Sequence, residues 1–150
     1  MKKISLLLFF SLLALANLAG QDKTLAVTTT ATGRQFTDPV VEIETKTAKT
    51  TSGQSAWLNI EDYSAAGFVL DANACTGTTP TLDVLVEHST DKAIIFSATG
   101  GGFTQVTTVA STQLRTVKDL MRFVRVSWTI AGTTPSCTFG VKVNVLSRGV

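Results

Sequence analysis

Histidine occurs once in this chain, tyrosine once, cysteine and tryptophan twice each, and charged residues make up only 16% of it. Each scarcity excludes something. A nucleophile, base and acid are brought together in space rather than along the chain, but the constellation still needs a base. His88 is the only imidazole available. Counted along its segment, it continues the inward parity of Leu82, Val84 and Val86, which makes it a residue at the rim of a core with one ring nitrogen hydrogen-bonded. No catalytic residue can be named, and the chain reads as a non-enzyme.

Metal binding needs several converging His, Cys, Asp or Glu ligands. The one cluster, Asp83, Glu87, His88 and Asp91, divides between opposite faces of a strand, so it reads as a solvated face and no metal is expected; a Ca²⁺ in the Ser89–Lys92 turn is the alternative. The glycines Gly100, Gly101 and Gly102 are not followed by a helix carrying Lys-Ser or Lys-Thr, which removes a phosphate-cradling loop. No cofactor is expected. The formal net charge of +2 includes Lys2 and Lys3. The remainder is close to neutral and offers nothing to nucleic acid or an anionic membrane.

The N-terminus has a three-part layout. Lys2 and Lys3 precede an apolar run from Ile4 to Leu15, followed by the small residues Ala14, Ala16, Ala19 and Gly20, as in a secretory signal. Cleavage after Ala16 is expected, with Ala19–Gly20 as a second site. Gln21 stands where a lipidated Cys would have to be. The run is short for a membrane span, so no stable span is expected after processing; the other reading is a buried or membrane-associated helix on a chain that is not exported. Residues 1–20 are thus a signal-like segment and 21–150 a single domain of about 130 residues, enough for one core.

Within that domain, apolar residues alternate. Val41 and Ile43 oppose Glu42 and Glu44; Leu58 and Ile60, then Leu82, Val84 and Val86, then Val124, Val126 and Trp128 repeat the pattern. Cys137, Phe139, Val141, Val143 and Val145 extend it. Strands with one apolar face belong to antiparallel sheets. About eight to ten such strands predict an all-β sandwich or jelly roll. Lys46–Ser55 and Thr99–Gly102 read as loops, Gln21–Thr37 as an edge strand or extended arm, and Thr116–Met121 as the one place for a helical turn.

A pattern also recurs. Phe68-Val69 followed by Gly77-Thr78-Thr79-Pro80 is matched by Phe123-Val124 followed by Gly132-Thr133-Thr134-Pro135. Glycine permits unusual backbone angles and proline cannot donate to a ladder, so each copy reads as a hairpin turn. Cys75 and Cys137 lie one in each copy. A disulfide between them would close a loop of about 60 residues and add roughly 4 kcal/mol on the chain-entropy model. The parity of Phe68, Leu70, Ala72 and Ala74 turns Cys75 outward, so either a bulge shifts the phase or the two cysteines are free.

Arg115, Lys118, Arg122 and Arg125 form a basic region, with Arg122 and Arg125 diverging on one strand. Arg115, Arg122 and Arg125 are candidate contacts to a partner subunit or an anionic partner, against the alternative of a charged outer surface. Trp128 shares the core parity. Trp57 opposes Leu58 and is the better candidate for an exposed contact.

From Ser64 onward the chain resembles the small β-sandwich structural and decoration proteins of tailed bacteriophages. The resemblance rests on Gly77–Val84, Ser89 with Asp91, Phe103–Thr107, Arg122–Arg125 with Trp128, and Gly132–Phe139; Lys92 stands where such turns carry Gly. It implies virion assembly or decoration through protein contacts, without chemistry, in a homo-oligomer. The Ser-x-Asp turn and the Arg-Phe-Val-Arg strand resemble, over a shorter stretch, the discoidin-like galactose-binding jelly rolls, which implies glycan binding as the alternative. The expected setting is secreted, periplasmic or extracellular, or a virion.

Overall fold

Alternation along the chain becomes strand after strand. The computed structural model describes residues 23–24, 40–61 and 63–147, and every regular element among them is β. In order these are β1 (Lys23–Thr24), β2 (Val40–Lys49), β3 (Gly53–Gln54), β4 (Leu58–Asn59), β5 (Tyr63–Ala72), β6 (Thr76–Ser89), β7 (Phe96–Gly102), β8 (Ser111–Val117) and β9 (Phe123–Ser147). The protein is all-β and antiparallel, apart from a short parallel pairing of Lys23 with Leu58 and Thr24 with Asn59. The signal-like segment lies outside the described residues, as does most of Gln21–Thr37.

β9 is the spine. On one flank β2, β3 and β4 run antiparallel to it from Val40↔Asn144 to Asn59↔Phe123. On the other, β5 and β6 run antiparallel to it from Tyr63↔Ser147 to Ser89↔Phe123. β7 adds to the outside of β6 and β8 to the outside of β5. The result is a four-ply antiparallel ribbon bent across its middle. One half has the order β7-β6-β9 followed by β3 and β4; the other is β8-β5-β9-β2. The sheet closes nearly into a barrel.

Side chains at alternate positions of both halves fill the interior. Leu58, Leu82, Val84, Val86, Val124 and Val126 come from one half, and Phe68, Leu70, Phe139, Val141, Val143 and Val145 from the other, all buried. This is what period-two patterning on antiparallel strands requires. Burying an aliphatic side chain of this size contributes on the order of 1.5–3 kcal/mol.

The repeated Gly-Thr-Thr-Pro segments are not hairpin turns. Both lie inside long strands, β6 and β9, and face each other, with register shifts between Thr76 and Thr78 and between Thr78 and Thr81. Gly77 (φ 114°), Thr79 (φ 48°), Gly132 (φ 122°) and Thr134 (φ 49°) all take left-handed backbone. Facing bulges bend both strands together, and bulges of this kind increase twist and re-aim a strand. The bend of the ribbon is therefore built from the repeat, and a local two-fold relation exchanges its two copies.

Other sequence expectations also change. Lys46–Ser55 is not a loop: β2 continues to Lys49, and β3 occupies Gly53–Gln54. Thr99–Gly102 belongs to β7, where Gly100 (φ 75°) takes up a bulge. Thr116–Met121 forms no helical turn. Thr116 and Val117 finish β8, Asp119 has φ 55°, and the Leu120 amide bonds to the Ser64 carbonyl rather than to its own preceding turn.

Candidate interaction surface

Cys75 and Cys137 are joined by a disulfide across the bend, with Cα atoms 4.3 Å apart. The parity conflict resolves as a phase shift. β5 ends at buried Ala72, Asn73 and Ala74 are exposed, and Cys75 turns back into the core. The register position related to it by the repeat is the Leu82↔Ile130 pair on the other side of the bulges. Both sulfurs are shielded, Cys75 at 3% exposure and Cys137 at 0%.

The arginines expected to form a contact region are each engaged separately. Arg115 Nε donates to the Gly102 carbonyl at 2.9 Å, and a second guanidinium nitrogen donates to Thr104 Oγ1 at 3.2 Å. Arg122 pairs with Glu61 at 3.0 Å and remains exposed. Arg125 is only 8% exposed. Its Nε donates to Glu87 Oε2 at 2.6 Å, the other Glu87 oxygen accepts from Ser127 Oγ at 3.0 Å, and its guanidinium lies 4.5 Å from the Trp57 ring centroid. Trp57 is half-buried beneath this arginine. The structure thus brings Trp57 and Arg125 together, but as partners of each other on the outer side of β9. Trp128 is half-buried and sits at the core margin, edge-on to Phe139 at 5.5 Å, with its indole N–H on the Thr51 carbonyl.

His88 is half-buried at the C-terminal end of β6. Its Nδ1 accepts from the Met121 amide at 3.4 Å, and its ring meets Phe96 edge-on at 6.3 Å. Burial pushes its pKa below the ordinary value of 6.5. Among the described residues, no group of three or more His, Cys, Asp or Glu converges as metal ligands would.

Beyond His88 the chain makes a tightly pinned turn. Ser89 is fully buried. Its Oγ donates to the Ile94 carbonyl at 2.6 Å and accepts from the Lys92 amide at 2.8 Å. Asp91 Oδ1 accepts the Ala93 and Ile94 amides at 2.9 and 3.1 Å. These bonds, that from Ile94 foremost, hold the Asp91 carboxyl below its ordinary range. Lys92 closes the turn in place of a glycine at φ 69°, with its ammonium over the Phe123 ring at 4.4 Å.

What this turn presents is apolar. Ile94 is 60% exposed, Ile95 43% and Phe96 46%, and five of the six exposed large hydrophobics among the described residues fall between Ile94 and Leu114. Apolar residues exposed singly are ordinary, but three in a row on one ordered turn form a contiguous patch of the kind that marks an interaction site. Sequence reasoning missed this surface, although a signal exists: no charged residue occurs from Ala93 to Leu114. On the other half of the ribbon, Glu42, Lys46, Val69, Asp71, Thr112, Gly140 and Lys142 line a shallow groove of about 320 Å³. Within it Lys46 pairs with Asp71 at 2.8 Å. No protein-family model, curated protein or solved structure matches the chain.

Proposed function

We propose that this is a non-catalytic structural or decoration protein of a virion or an extracellular assembly, acting through protein–protein contacts as a homo-oligomer. The observation that carries the reading is the Ile94-Ile95-Phe96 surface: exposed apolar side chains on a turn already ordered by Ser89 and Asp91. Order before binding lowers the entropy lost on association, which is how a contact site gains affinity.

The architecture supports the same conclusion. With β3 and β4 counted as one interrupted strand and the two halves of β9 as two, the orders match those of an eight-stranded jelly roll, a sandwich used by viral capsid and lectin domains alike. The shielded disulfide suits an oxidising compartment, in keeping with an exported chain. Contact roles move from Trp57 and Arg125, which are engaged with each other, to Ile94, Ile95 and Phe96, with Arg122 at the periphery.

Sedimentation and native mass spectrometry of the purified protein test this reading. Oligomers are expected. A strict monomer that binds a glycan, and loses it on Trp57→Ala, would replace the assembly role with the carbohydrate-binding one.

A further inference from the structure

We propose that the first half of β7 is a self-pairing edge: a second copy of this chain lays its own Phe96–Thr99 antiparallel alongside it about a two-fold axis, and the Ile94, Ile95 and Phe96 side chains of both copies close over the joint. This rests on the assembly reading above and names the partner.

The edge is open. Among the described residues β7 pairs only with β6, through Glu87↔Ser97 and His88↔Phe96 at this end. An exposed strand edge offers unpaired backbone groups to any matching strand, and proteins protect such edges with charge, proline, bulges or a cover. Among the described residues β7 has none of these before its bulge at Gly100. Ala93–Leu114 is free of charge and of proline. Its far end is closed by its own chain: Arg115 takes the Gly102 carbonyl, and Gln113 takes both the amide and the carbonyl of Thr104. Pairing is therefore confined to Phe96–Thr99.

The opposite flank of the ribbon shows what protection looks like here. β2 carries Glu42, Glu44, Lys46 and Lys49 and has two register shifts against β9. An uncharged edge does not match that flank. It matches itself, and a patch that matches itself gives a closed, isologous pair. Ile94, Ile95 and Phe96 together expose on the order of 300 Å², the lower end of the range for the largest apolar patch on a typical monomer, which is often a functional one. Since a standard interface buries about 800 Å² per partner, the pair should be reversible and concentration-dependent.

The test uses the purified protein in sedimentation, with Ser97→Lys and Ile95→Asp as edge variants, Thr47→Lys on β2 as the control, and thermal melts to confirm folding, since all three positions are exposed. A dimer is expected whose dissociation constant rises about tenfold or more in each edge variant, because Ser97→Lys sets like charges across the axis and Ile95→Asp puts a charge into the apolar cover, and is unchanged in the control. Ser97→Cys should also link two copies under mild oxidation. Oligomers that persist in both edge variants overturn the β7 pairing and leave the assembly role standing. A monomer at every concentration overturns the pairing, and if that monomer binds glycan the assembly role falls with it.

Discussion

Gly77 and Gly132 occupy equivalent places on the two sides of the bend, each holding left-handed backbone and each lying where a side chain would strike the opposite strand. A Cβ on Gly77 would come within 2.7 Å of the Thr134 carbonyl oxygen, and one on Gly132 within 2.9 Å of the Thr78 carbonyl oxygen. Both atoms are backbone and cannot swing away. Gly77→Ala and Gly132→Ala should each lower stability by about 2–4 kcal/mol, combining positive φ with a fixed clash. Gly102→Ala, where the nearest atom lies at 4.0 Å, should stay within about 0.5 kcal/mol. Urea titration of the three variants checks this; equal losses at all three would contradict the paired-bulge account.

The disulfide and the Leu82–Ile130 pair occupy related places across the same bend. Cys75→Ser with Cys137→Ser should cost about 4 kcal/mol through lost cross-linking, and buried hydroxyls would add to the loss. Cys75→Ile with Cys137→Leu borrows the apolar pair from the other copy and should recover part of it. Thermal melts of the two double variants decide, and an Ile/Leu variant no better than the Ser/Ser one would count against the two-fold relation.

Arg125 and Glu87 form an ion pair whose side chains are 10% and 17% exposed. Removing one partner strands the other, so Arg125→Met alone or Glu87→Gln alone should cost about 3–5 kcal/mol, while the two together should cost less than their sum. A double-mutant cycle by chemical denaturation measures the coupling. Additive losses would mean that the Trp57 contact, and not the pair, holds Arg125.

Because burial lowers the His88 pKa, the unfolded chain takes up a proton at higher pH than the folded one. Stability from the neutral ring is complete above the ordinary value of 6.5, falls as pH drops through that value, and stops falling below the folded pKa. His88→Val should flatten this dependence, since Val143 is the residue related to His88 by the repeat. Melting temperatures across mildly acidic pH provide the check, with an identical slope in the variant as the contrary result.

Much of the fold is legible in the sequence because burial here follows simple parity. Val124, Val126, Phe139, Val141, Val143 and Val145 alternate and are buried as alternation demands. Glycine and proline in Gly77–Pro80 and Gly132–Pro135 carry the same local signal in a bulge as in a turn. What separates the two outcomes is the facing copy, which lies far away along the chain. Arg125 was opaque for a related reason: its charge reads as solvent-facing until Glu87 and Trp57, from β6 and the β3–β4 connection, arrive to cover it. Ile94–Phe96 was hidden differently, since its mark is an absence of charge spread over a long stretch.

The position of β9 has a consequence for biogenesis. Of the described strands, the one synthesised last is the central one, wedged between β2–β4 on one side and β5–β6 on the other. Until it arrives, the earlier segments have no middle neighbour on which to condense. The two halves can therefore join only once β9 has been made, and until then β5 with β8 and β6 with β7 are left as separate pairs.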